Sequence, residues 1–254
     1  MNNNSEKQFI CHLSSILPER IGGKRGTKPI EKDVLITELF KLFKTNCGWR
    51  NIKHSSVCRN YFMELQRRGS IKKYFNLLIK DYSKQRLDKS IVDSSDIVNY
   101  NTNGIVKYSG KYHNPCVKLT IEVSSECVPV YGRLDKGSES DSVILDKMLE
   151  DKDKLPYELY ADKGYEKYDR RRELKKRNCQ VRIEMKKLDK NRKRGPRFIF
   201  TSEHKRMRGS IEKVMAWIKT FMIVRLSRIR IKSLISGMFF FCLSYTTFTR
   251  LKKL

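Results

Sequence analysis

The stretch YELYADKGYEKYDRRRELKKRNCQVRIEMKK, residues 157–187, indicates the fold class of this chain. YELYAD is a short run of the strand type, YDRRRELKKRN has the composition of a charged helix, and QVRIEMKK predicts a second strand. A helix between two strands is typical of a sheet covered by helices. Asp162 stands where the first strand ends, at the start of a very basic segment, and a carboxylate there repels phosphate unless a cation lies between them.

The residues before this stretch extend the predicted sheet. SIVDSSDIVNY (90–100), VKLTIEV (117–123) and VPVYGRLDKG (128–137) are rich in Val, Ile and Thr, which predicts three strands, the last two forming a hairpin. SDSVILDKMLE (140–150) predicts a capped helix, and a long helix is predicted from about 203 to 221. The predicted fold is therefore α/β, a mixed sheet flanked by helices.

The first third of the chain is different in character. Apolar residues recur at helical spacing between residues 30 and 81, which predicts three short helices with basic faces. This pattern is typical of a helix-turn-helix-like DNA-binding unit, although any small helical bundle would give it. We therefore divide the chain into a helical region, 1–89, and a domain at 90–254 that holds the sheet and the basic C-terminal helices.

Charge and cysteine usage restrict the possible partners and surroundings. The formal net charge is +27, with +11 in residues 1–90, −5 in 91–162 and +21 in 163–254, which favours nucleic acid as the partner. Seven cysteines without a C-x-x-C pair are typical of a reducing compartment. No signal peptide begins the chain, and the apolar run 234–248 is shorter than a membrane span, so we expect a buried helix there and a cytoplasmic location.

Three acids are candidates for a metal centre. Asp93 and Asp162 lie at predicted strand ends, and Glu212 lies in the predicted long helix. Carboxylates gathered in this way are ligands that hard cations prefer. Two Mg²⁺ ions, or Mn²⁺ in their place, could activate an attacking oxygen and stabilise the leaving oxygen of a phosphodiester.

Several segments, in order, resemble DDE-type insertion-sequence transposases of the superfamily that holds the IS-four and IS-five groups, and IS-five-like members in particular. These segments are LPERIGGKRGTKPIEKDVLITELFKLFKTNCGWRNI (17–52), IVDSSDI (91–97), ADKGY (161–165) and Arg208-x3-Glu212-x6-Lys219. The intervals between the acids are 69 and 50 residues. The resemblance implies an RNase H-like core in which Asp93, Asp162 and Glu212 hold metal and catalyse the reaction.

The resemblance also implies an activity and its partners. Such transposases cleave DNA at the terminal inverted repeats of an element and use the freed 3′-OH to attack target DNA, as dimers or larger assemblies formed on DNA. By the same resemblance, the protein is expected near the nucleoid. Arg208 and Lys219 would contact phosphates, as would Lys205, which stands where the family often has Tyr. Arg192, Lys193 and Arg194 in the basic loop are further candidates for contacts with DNA.

Some alternatives stay open from sequence. Asp96 competes with Asp93 as the first ligand, and their odd spacing puts them on opposite strand faces, so one of them faces the metal. The family's Asp-Ser motif favours Asp93. A nuclease of the same fold would cut without joining, and a domesticated derivative would bind DNA without cutting it.

Overall fold

The computed structural model describes residues 3–20, 29–45, 47–82, 87–100, 104–111, 113–183, 201–226 and 232–254. Within these ranges the chain forms eight α-helices and six β-strands. They divide into two compact units. The first unit contains residues 1–80, 101–103 and 217–254, and the second contains residues 81–100 and 104–216.

The first unit is helical. Its helices are α1 (Asn3–Ile16), α2 (Lys32–Thr45), α3 (Ser55–Arg67), α4 (Ser70–Lys80) and α8 (Lys232–Leu251). Phe9 of α1 and Phe43 of α2 contact Phe241 of α8, with ring centroids 5.8 and 4.7 Å apart. Aromatic contacts of this kind stabilise a core beyond the burial of their surface. The apolar C-terminal segment is therefore a buried helix, as predicted from its length and composition.

A two-residue turn joins α3 to α4. Gly69 in this turn has a φ of 64°, in the left-handed region that glycine adopts without strain. Cations are exposed on both helices and include Arg59, Lys72 and Lys73. None of the helices in the described part of the chain has the length and hydrophobicity of a membrane span.

The second unit contains the sheet. Its strands are β1 (Lys89–Val98), β2 (Lys107–Ser109), β3 (Asn114–Ser124), β4 (Pro129–Lys136), β5 (Glu158–Ala161) and β6 (Gln180–Ile183). The order is β2-β3-β1-β5-β6, and β4 also pairs with β3. β3 is antiparallel to β1 and β4, whereas β1, β5 and β6 are mutually parallel. The sheet is therefore mixed, as predicted.

Helices cover both faces of this sheet. The helices α5 (Asp141–Glu150) and α6 (Tyr168–Lys176) contribute Leu145, Met148 and Leu174 to a core that also contains Val92 and Ala161. The neighbours of Tyr160 in β5 point to the α5–α6 core, so Tyr160 points to the opposite face of the sheet. His204 packs against Tyr160, and the first part of α7 (Ser202–Leu226) therefore lies on that opposite face. Ser140 caps α5, with its side chain accepting a hydrogen bond from the Val143 N–H.

Two features of the organisation differ from the sequence-based expectation. The helix α1 was not predicted. The region from residue 217 onward belongs to the helical unit, whereas the sequence division placed it with the sheet domain, 90–254. The reason is hydrophobic: α8 buries Phe239, Phe241 and Leu243 within the unit of α1–α4. The role of residues 1–89 in binding DNA remains a prediction.

Candidate active site

Asp93 and Asp162 lie next to each other on the parallel pair β1 and β5. Asp162 directly follows β5, as predicted, whereas Asp93 lies within β1 and not at the predicted strand end, because β1 continues to Val98 in its pairing with β3. Val92 of β1 and Ala161 of β5 are Cα partners, and each aspartate is the next residue. Adjacent strands are about 4.8 Å apart, so the register brings the two carboxylates side by side. Both line a cleft together with Ile91, Val92, Ala161, His204, Arg208 and Ile211.

The two carboxylates have different surroundings. Asp162 is exposed, whereas Asp93 is half-buried. Burial raises the pKa of Asp93 to about 6, and the negative charges of Asp162 and Asp141 add to the increase. A hydrogen bond of 2.8 Å from the Ser94 N–H to Asp93 Oδ1 and the positive charge of Arg208 act in the opposite direction. A cation at this point would therefore relieve a concentration of negative charge.

Arg208 connects the aspartates to Glu212. Its Nε donates a hydrogen bond of 2.9 Å to Glu212 Oε1, one turn further along α7, and this bond raises the pKa of the guanidinium. The charges of Asp162, Glu212 and Asp93 raise that pKa further. Glu212 itself is exposed and does not line the cleft. The structure thus brings Asp93 and Asp162 together and holds Glu212 on Arg208.

Asp96 lies in different surroundings from Asp93. Its carboxylate accepts a hydrogen bond of 2.9 Å from Ser109 Oγ and is 4.0 Å from Lys118 Nζ. These partners, on β2 and β3, hold the Asp96 side chain, and Asp96 does not line the cleft. Geometry therefore favours Asp93 as the acid that acts with Asp162.

The sequence interpretation missed three residues close to this site. His204 lines the cleft from α7, where it packs against Tyr160 with ring centroids 5.5 Å apart. Asp141 at the start of α5 acts on the Asp93 carboxylate, and Tyr165 is buried beneath the strands. Asp141 lies in the predicted helix 140–150 and Tyr165 in the ADKGY segment, but their proximity to Asp93 depends on tertiary structure that local patterns do not specify.

The predicted DNA-contacting residues are placed as follows. Lys205 is exposed on α7, three residues before Arg208. Lys219 is half-buried, in the part of α7 that belongs to the helical unit. Arg192, Lys193 and Arg194 lie outside the described residues.

The basic helix α6 divides its cations between two roles. Arg170 is buried and donates hydrogen bonds to Asp146 and to the Ser142 carbonyl, and Arg171 donates to both oxygens of Glu166. Arg172, Lys175 and Lys176 are exposed. Some cations of the segment that follows Asp162 therefore stabilise the fold, and the others form an exposed basic surface.

The cleft offers two carboxylate ligands, Asp93 and Asp162, to a divalent metal. Within the described ranges, no three His, Cys, Asp or Glu side chains form a group that could hold a metal ion. The pair Asp93 and Asp162 still fits Mg²⁺, which is often held by one or two carboxylates, with waters and substrate phosphates as its other ligands. Glu212 does not line the cleft with this pair, and its Oε1 accepts a hydrogen bond from Arg208.

Comparisons with known proteins agree with this fold. The sequence matches the family described as Transposase DDE domain over residues 84–246. A piggyBac transposase, solved by cryo-electron microscopy as a synaptic complex with hairpin DNA, superposes with a TM-score of 0.52 at 8% identity, covering 97% of this chain and 72% of that chain. A search of curated proteins found no match.

The strand order, the two neighbouring carboxylates on β1 and directly after β5, and the covering helices define an RNase H-like fold of the DDE type. The matched region covers more than half of the chain, so this protein belongs to the transposase DDE domain family. Its function is that of a DNA transposase, an enzyme that cleaves DNA and transfers strands. Enzymes of this class bind DNA and use a divalent metal.

Proposed function

We propose that this chain is the transposase of an IS-five-like insertion sequence, with its active site at Asp93, Asp162 and Glu212. The observation that carries the proposal is the register of β1 and β5, which places Asp93 and Asp162 side by side in a cleft beside Arg208. Asp93 and Asp162 would hold the first Mg²⁺, and Glu212 would complete a site for two ions. When bound, such ions activate an attacking oxygen and neutralise charge on the phosphodiester.

Arg208 is positioned to bind the DNA phosphate at the site of reaction. It lines the cleft, and its guanidinium can form two parallel hydrogen bonds to a phosphate. Glu212 accepts a hydrogen bond from the Nε of this guanidinium. A phosphate that takes the place of Glu212 on Arg208 would free this carboxylate for metal binding, so DNA would complete the site only where it is to be cut.

The remaining cations would hold DNA on either side of the cleft. Lys205 is exposed one turn before Arg208, and the exposed residues of α6 follow the Asp162 turn. Lys219, Arg192, Lys193 and Arg194 are proposed to contact phosphates further along the duplex. Contacts of this kind fix the register of the protein on DNA without reading its sequence.

The helical unit is proposed to recognise the ends of the element. A two-residue turn with Gly69 joins α3 and α4, and both helices expose cations, as a helix-turn-helix-like reader of terminal inverted repeats requires. Assembly of two or more copies on DNA would bring two element ends together. Cleavage and joining of chromosomal DNA would take place in the cytoplasm, at the nucleoid.

A strand-transfer assay tests this function. The full-length chain is incubated with a labelled duplex that carries an element end, a supercoiled target plasmid, and Mg²⁺, Mn²⁺ or Ca²⁺. We expect cleavage and joined products with Mg²⁺ or Mn²⁺ and neither with Ca²⁺ alone. Cleavage without joined products would support a nuclease, and binding without cleavage would support a non-catalytic derivative.

A further inference from the structure

Three side-chain hydroxyl groups, from Tyr165, Ser94 and Thr120, form a row of hydrogen bonds on the face of the sheet opposite to the Asp93 carboxylate. The buried Tyr165 hydroxyl is 2.5 Å from Ser94 Oγ, which in turn is 2.7 Å from Thr120 Oγ1. Ser94 and Thr120 are Cα partners in the antiparallel pairing of β1 and β3. The hydroxyls therefore link the turn that follows β5 to β1 and then to β3.

The two residues that share this hydrogen bond, Tyr165 and Ser94, each also donate a backbone hydrogen bond to one of the two aspartates. The Ser94 N–H donates a hydrogen bond of 2.8 Å to Asp93 Oδ1. The Tyr165 N–H donates a hydrogen bond of 3.0 Å to the backbone carbonyl of Asp162. Because consecutive strand residues point to opposite faces, Ser94 is held from the face of the sheet opposite to the Asp93 carboxylate.

The turn that carries Tyr165 is itself fixed. A Cβ atom at Gly164 would lie 2.9 Å from Asp141 Oδ2, so the backbone packs directly on this carboxylate. Lys118 Nζ donates to Asp141 Oδ1 over 3.0 Å, and the Arg170 guanidinium donates to the Tyr165 carbonyl. The ring of Tyr165 therefore has little freedom to move away from Ser94.

We propose that Tyr165 is a positioning residue that, through Ser94, keeps Asp93 of β1 and Asp162 after β5 in the register that a divalent cation requires. The inference rests on the proposed function, because it takes these two aspartates as metal ligands. Groups that orient metal ligands typically change metal affinity by 10–100-fold when they are removed. Tyr165 would act in this way without touching metal or DNA.

Metal affinity of the full-length chain tests this role. Mn²⁺ is titrated into the wild type and into Tyr165→Phe, and bound Mn²⁺ is followed by electron paramagnetic resonance. We expect Tyr165→Phe to bind Mn²⁺ about tenfold more weakly. The matched control is Tyr131→Phe, which removes a hydroxyl bonded to Asp151 Oδ2 at 2.7 Å on β4, a strand separated from β1 by β3. The control should bind as the wild type does, and urea unfolding of both variants checks that they are folded.

A double-mutant cycle identifies the route of the effect. Ser94→Ala should weaken Mn²⁺ binding by a similar factor, and the double variant should lose no more than either single variant, because both changes break the same link. The positioning role would be overturned if Tyr165→Phe bound Mn²⁺ as tightly as Tyr131→Phe and the wild type, or if the losses in the cycle were additive. Neither result would contradict the metal site itself. Unchanged Mn²⁺ affinity in Asp162→Asn would instead overturn the metal site, and the role of Tyr165 with it.

Discussion

Val92 and Ala161 are Cα partners in the parallel pairing of β1 and β5, so the next residues, Asp93 within β1 and Asp162 after β5, lie side by side. These acids are 69 residues apart in sequence. A one-residue shift in the pairing of β1 and β5 would turn one carboxylate to the α5–α6 core. The proposed active site therefore depends on the register of β1 and β5 before it depends on metal or DNA.

The pKa of Asp93 predicts how stability changes with pH in the absence of divalent metal. Burial raises this pKa from 3.8 to about 6, so between these values the folded state binds more protons and stability falls as pH rises. Asp93→Asn removes the buried charge. We expect it to be more stable than the wild type by up to about 3 kcal/mol at pH 8, with a difference that declines as the pH falls toward 4.

Urea unfolding of both proteins from pH 4 to pH 8 measures this difference. Asp153→Asn, at an exposed position, serves as the control. A difference between Asp93→Asn and the wild type that does not change with pH would show that the Asp93 carboxylate is not destabilised by its surroundings.

Arg208 should contribute a phosphate contact to DNA binding. Arg208→Gln is expected to lower the slope of log K against log salt concentration by about 0.9, the value for one lost contact. Arg206→Gln is the control, because Arg206 is exposed on α7 and points about 200° around the helix from Arg208. Titrations at several salt concentrations measure both slopes, and identical slopes would remove Arg208 from the DNA interface.

The helical unit should depend on α8. Phe241 is buried against Phe9 and Phe43, so Phe241→Ala is expected to lower the free energy of unfolding by about 3–5 kcal/mol. Leu77→Ala, at an exposed position, should change it by less than about 0.5 kcal/mol. A fragment that ends at residue 90 lacks α8 and should not unfold cooperatively in urea. Cooperative unfolding of that fragment would contradict the grouping of α8 with α1–α4.

Gly164 and Gly209 should respond in opposite ways to alanine. A Cβ at Gly164 would meet Asp141 at 2.9 Å, so Gly164→Ala should displace the turn after Asp162 and slow cleavage. A Cβ at Gly209 meets nothing within 4 Å, and Gly209→Ala in α7 should stabilise the protein by about 0.5–1 kcal/mol. Thermal unfolding and cleavage rates of both variants test this contrast. Normal cleavage by Gly164→Ala would show that the turn tolerates the shift.

Local sequence patterns predicted much of the fold and part of the site. The strands around Asp93 and Asp162 and the helix that carries Glu212 form as their hydrophobic periodicity indicates. The position of α8 could not be predicted, because an apolar helix does not specify which other helices it packs against. The pairing of Glu212 with Arg208 also depends on side-chain geometry, and periodicity places a residue on a face without specifying its partner.

Asp93, and not Asp96, is proposed to act with Asp162 in catalysis. Cleavage of an element-end duplex with Mg²⁺ is the direct measurement, made on Asp93→Asn, Asp162→Asn and Asp96→Asn with DNA binding measured in parallel. We expect the first two variants to lose cleavage and still bind DNA. Asp96→Asn can keep its hydrogen bond from Ser109 and should cleave at close to the wild-type rate. Full cleavage by Asp93→Asn together with loss of cleavage in Asp96→Asn would contradict the account.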